Sequence, residues 1–151
     1  MLININQKDK RLLRVIRDYG CLFLCFAYVS PLKFEGDAGC NQLNSIFLDA
    51  INSNIISGDL NKDGDYDDAG EAEVLDHNRL ARLFNLDVVY DGIHHDAIRE
   101  IPENVKYVFG MYFWKGSHFV VLDKNKNVVF DPLVDSNTVK YGTLKTTRWY
   151  Y

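Results

Sequence analysis

The chain changes texture once. Up to about residue 84 its apolar residues recur at helical spacing, whereas beyond that point they gather in short runs rich in β-branched and aromatic residues, divided by turn signals. Leu12, Leu13, Val15 and Ile16 sit among charges between residues 8 and 18, the pattern of a short amphipathic helix that Gly20 ends. Residues 21–29 are apolar on every side, which predicts a helix buried by the rest of the fold, and Pro31 stops it. Leu43, Ile46, Phe47, Ala50 and Ile51 predict a third helix over residues 41–52, and Leu80, Leu83 and Phe84 a fourth with Asp76 as its N-cap. Strands are expected at residues 88–90, 107–113, 119–122, 128–130 and near 149–151. Helices first and antiparallel strands later define an α+β fold. With 151 residues, 47% of them hydrophobic, we expect one domain over residues 1–151 around one core.

Charge narrows the partners. The net charge is -4, and the Lys and Arg residues cluster only between residues 8 and 17, on a helix face, so nucleic acid is not an expected partner. The longest apolar run is too short to span a bilayer. The N-terminal residues lack the basic and apolar regions of a secretory signal, and three cysteines do not make a disulfide framework, so a cytoplasmic location is expected. Oligomeric state is not legible.

Chemistry concentrates in three places. Ser117-His118-Phe119-Val120-Val121 opens one strand and Phe130-Asp131-Pro132-Leu133 closes the next. A hairpin turn over residues 124–127 would pair the two strands and bring His118 and Asp131 toward one end of the sheet. An imidazole oriented by a carboxylate is a general base that needs a nucleophile. Tyr19-Gly20-Cys21 supplies it, with the thiol on the first turn of the buried helix, where the helix dipole favours thiolate.

In these residues the chain resembles the bacteriocin-processing, double-glycine leader peptidases and related papain-like proteins. The match runs from Gln7, about a dozen residues before the thiol, to Leu133. The resemblance implies a papain-like fold in which Cys21 is the nucleophile, His118 the base and later the acid, Asp131 the orienting group and Gln7 a donor to the oxyanion. It implies amide hydrolysis of a peptide or peptide-like substrate through a thioacyl intermediate, with no cofactor for catalysis. A cell-wall amidase, an acyltransferase and a catalytically silent binding protein are the alternatives on the same fold. One departure stands out: Leu22-Phe23-Leu24 follows the thiol where the group has small or turn-forming residues, and side chains of that bulk would narrow a cleft.

Residues 58–70 form an acidic loop. Asp59, Asn61, Asp63, Asp65 and Asp67 alternate as EF-hand ligands do, with Gly64 at the sixth position, and calcium favours several such oxygens around a tight turn. The twelfth position is Gly70, with Glu71 one residue late and Glu73 three. A structural calcium on Asp59, Asn61, Asp63, Asp65, Asp67 and Glu71 is one reading, and a solvated acidic turn the other. His94-His95 lacks zinc-like partners and is read as an exposed loop, Cys25 as core, Cys40 as the second reactive thiol, and Trp114 as a shield or core residue.

Overall fold

The computed structural model describes all residues, 1–151. The chain folds as two compact units, Met1–Asp87 and Val88–Tyr151. The first carries β1 (Leu2–Ile3), α1 (Arg14–Tyr19), α2 (Cys21–Val29), β2 (Phe34–Glu35), α3 (Gly36–Asn52) and α4 (His77–Leu83). Strands β1 and β2 pair in parallel.

Local chemistry explains where these helices begin and end. The expected helix over residues 8–18 forms only in its second half as α1, because the Asp9 carboxylate accepts from the Arg11 amide at 3.0 Å and from its guanidinium, holding that stretch in turns. Gly20 then separates α1 from α2, and a Cβ there would lie 2.5 Å from the Ile16 carbonyl oxygen. Helix α2 has the expected bounds and buries Phe23, Leu24, Cys25, Phe26 and Ala27. It stops at Ser30, whose Oγ donates to the Phe84 carbonyl at 2.6 Å.

Helix α3 starts five residues earlier than its apolar spacing indicates. Its first turn packs on β2, where a Cβ on Gly39 would come within 2.6 Å of the Phe34 backbone, so close approach extends the helix where propensity would not. Asp76 caps α4 as expected, accepting from the Arg79 amide at 3.0 Å. Phe23 centres the core, edge-on to Phe47 and Phe84 with ring centroids 5.0 Å away in both cases.

The second unit carries β3 (Tyr90–His94), β4 (Tyr107–Phe113), β5 (Ser117–Leu122), β6 (Val128–Phe130), α5 (Asn137–Tyr141) and β7 (Thr143–Tyr150). Its five strands form an antiparallel sheet in the order β3-β7-β4-β5-β6, and with the helical first unit this makes an α+β architecture. The strand expected at 88–90 begins two residues late, with a bulge between Tyr90 and Ile93 where Gly92 has φ +113°. Strand β7 starts six residues before the expected 149–151, because it lies between β3 and β4 and the ladder on both sides stabilises its polar residues. The β5–β6 turn is held by Asp123, whose Oδ1 accepts from the amides of Asn125 and Asn127 at 2.9 Å each. No helix is long and apolar enough to cross a membrane.

Candidate functional site

The register of β5 decides where His118 points. Side chains alternate across a strand, so His118 shares a face with Val120 and Leu122, which belong to the core of the sheet unit. His118 is thus an imidazole at the end of an apolar row, 4% exposed. Asp131 follows the last residue of β6, whose Phe130 pairs with Val121. The antiparallel hairpin brings the two side chains together as the sequence indicates, with His118 Nε2 2.7 Å from Asp131 Oδ1.

Asp131 is fully engaged. Oδ1 accepts from His118 Nε2 and the Leu133 amide at 2.9 Å, while Oδ2 accepts from the Ser136 amide at 3.0 Å and from Ser136 Oγ at 2.7 Å. Burial pushes the carboxyl pKa up, but the hydrogen bonds from His118, Ser136 and Leu133 outweigh it and bring the pKa down to about 2. Asp131 is therefore an acceptor at neutral pH, and His118 Nε2 carries the proton between them. A neutral His118 is then in the tautomer that carries its proton on Nε2.

In the first unit, Cys21 is the first residue of α2 and is partly exposed, whereas Cys25 and Cys40 are buried. Burial raises the pKa of the Cys40 thiol, which disfavours it as a nucleophile. Leu22 is partly exposed and Phe23 lies in the core, so the bulk of Phe23 packs against Phe47 and Phe84. Gln7 is 3% exposed, and its Nε2 donates to the carbonyls of Ile16 at 3.2 Å and Arg17 at 3.1 Å while its Oε1 has no partner. Its amide thus fastens the C-terminal turn of α1, which leads into Cys21.

The acidic loop is closed at its base by hydrogen bonds between Ser57 and residues 72 and 73, and by a bridge between Ile56 and Val74. Gly64 has φ +87°, in the left-handed region that favours glycine, and donates to Asp59 Oδ2 at 2.7 Å. The oxygens of Asp63, Asp67 and Asp68 lie within 4.8 Å of one another. Asn61 Nδ2 donates to Asp68, Asp65 faces Arg14 at 3.8 Å, and buried Glu71 accepts from the amides of Leu60 at 2.5 Å and Asp68 at 3.0 Å. Glu71 is a clamp across the loop. Asp68 joins the cluster although alternate spacing passes over it.

Three other residues are placed plainly. His94 ends β3, where it stacks on Trp149 with centroids 3.5 Å apart and lies 3.0 Å from Asp91, so it belongs to the sheet rather than to a loop. His95 is exposed. Trp114, at the β4–β5 hairpin, packs on Tyr141 at 5.4 Å with Lys115 above it. No protein-family model, curated protein or solved structure matches the chain.

Proposed function

We propose that the chain is a papain-like thiol hydrolase acting on a peptide or peptide-like amide, with Cys21 as nucleophile, His118 as base and acid, and Asp131 as orienting group. The buried His118–Asp131 hydrogen bond carries this reading, because it unites the two residues that the motifs single out and leaves the imidazole in one tautomer. His118 takes the proton of the Cys21 thiol, and the resulting thiolate attacks the amide carbonyl carbon as the C=O π electrons move to the oxygen. The His118 imidazolium then protonates the departing amine as the C–N bond breaks, leaving a thioester on Cys21. Water attacks the thioester after losing a proton to His118, and the acid departs as the C–S bond breaks. The same thioester serves an amidase or an acyltransferase when the acceptor changes.

Iodoacetamide labelling read by mass spectrometry tests the assignment. Cys21 is expected to alkylate first in the folded protein, and Cys25 and Cys40 only on unfolding. Labelling of Cys25 or Cys40 ahead of Cys21 would falsify it. The silent binding protein is the second reading, favoured by Gln7, whose amide donates to backbone carbonyls. Turnover of a peptide library by the parent and not by Cys21→Ala decides between them.

The clustered Asp63, Asp67 and Asp68 support a separate, structural role for calcium in the loop, with Asp59, Asn61 and Asp65 nearby as further oxygens. Millimolar calcium is expected to raise the melting temperature and magnesium to do so much less, and Asp63→Ala with Asp67→Ala to abolish the rise. An unchanged melting temperature in calcium returns the loop to a solvated turn.

A further inference from the structure

The geometry points to Ser136 as a positioning residue for the His118–Asp131 pair: its hydroxyl and amide fix Asp131 with Oδ1 aimed at the imidazole. Both Ser136 donors reach the same oxygen, Oδ2, at 2.7 and 3.0 Å, which leaves Oδ1 for His118 Nε2. A serine hydroxyl has one proton, and here it is committed to Asp131, while a lone pair accepts from the Val139 amide at 3.3 Å. One side chain, 7% exposed, therefore ties the carboxylate to the first turn of α5.

A second observation comes from the backbone. Residue 136 returns to Asp131 through a tight turn in which Val134 donates to the Asp131 carbonyl at 2.8 Å and Asp135 to the Leu133 carbonyl at 2.9 Å. Val134 sits at φ +72° in that turn, a conformation a β-branched residue adopts only under strain. At 68% exposure its own side chain gains little from being there. The turn instead brings the Ser136 donors back to the carboxylate, and strain kept for such an end is typical of functional loops. The titratable group facing Asp131 is His118, from β5, while Asp135 in the loop pairs outward with Lys140 at 3.6 Å.

The catalytic meaning of this role rests on the thiol-hydrolase reading, but its test does not. The carboxyl carbon of Asp131 is followed by NMR through an acid titration in the parent, Ser136→Ala, Ser136→Gly and Ser136→Thr. Losing the hydroxyl is expected to raise the proton affinity of Asp131 roughly tenfold, about one pH unit, and threonine to restore the parent titration. Glycine is tolerated at a helix N-cap, so Ser136→Gly keeps α5 while removing the donor. An Asp131 titration unchanged in a folded Ser136→Gly protein overturns the proposal, as does a shift that threonine leaves in place. If Asp131 moves as expected while Cys21 alkylation ignores every variant, the positioning role stands and the thiol-hydrolase reading fails.

Discussion

Asp131 is where burial and charge oppose each other most directly. Its carboxyl has a pKa of about 2 in the fold and near 3.8 without its partners, so the folded state favours the ionised form. The stabilisation is complete above about pH 4 and is lost as the pH falls through about 2. Asp131→Asn is expected to cost on the order of 1–2 kcal/mol at neutral pH after allowance for solvent screening, with parent and variant converging in acid. Urea unfolding at several pH values measures it. The neighbouring Val134 offers the opposite sign: Val134→Gly relieves φ +72° at an exposed position and is expected to raise stability by about 0.5–1 kcal/mol. A loss of stability there would remove the argument from strain.

Among the elements, the junction of α1 and α2 is the most tightly specified. Gly20 has φ -88°, which any residue tolerates, so its requirement is for space and not for backbone freedom. Because the Ile16 carbonyl oxygen is 2.5 Å from where a Cβ would sit, Gly20→Ala must push α1 and α2 apart. We expect a loss of about 1–3 kcal/mol and a changed alkylation rate at Cys21, the next residue. Phe23→Ala removes the ring that Phe47 and Phe84 meet edge-on, and about 3–5 kcal/mol is expected to go with it. Thermal melts measure both losses, and the Cys21 alkylation rate reads the local effect of Gly20→Ala.

At the scale of the whole molecule, what was legible in the sequence followed from local rules. The bounds of α2, the Asp76 cap, β4 and the β5–β6 hairpin all answer to periodicity, capping or turn chemistry, and the hairpin alone was enough to bring His118 to Asp131. The early start of α3 and the length of β7 were not legible, because packing on β2 and pairing with two neighbouring strands decide them. Ser136 escaped for the same reason, since a serine five residues beyond an aspartate carries no signal until a strained turn brings it back. Glu71 stands one residue past the twelfth loop position, and its carboxylate accepts from two backbone amides, which spacing alone did not indicate.

Both tryptophans, Trp114 and Trp149, fall within Val88–Tyr151, whereas the core of Met1–Asp87 is built on phenylalanine. Indole emission is therefore a natural lamp in one half of the chain, while helical ellipticity comes mostly from the other. Trp149 is 1% exposed, stacked on His94 with Arg99 over its ring, whereas Trp114 is half-buried at a hairpin beside Tyr141 and Lys115. Acrylamide is accordingly expected to quench the parent in part and Trp114→Phe hardly at all. Emission and ellipticity recorded in one melt then report the two halves separately in an unlabelled protein.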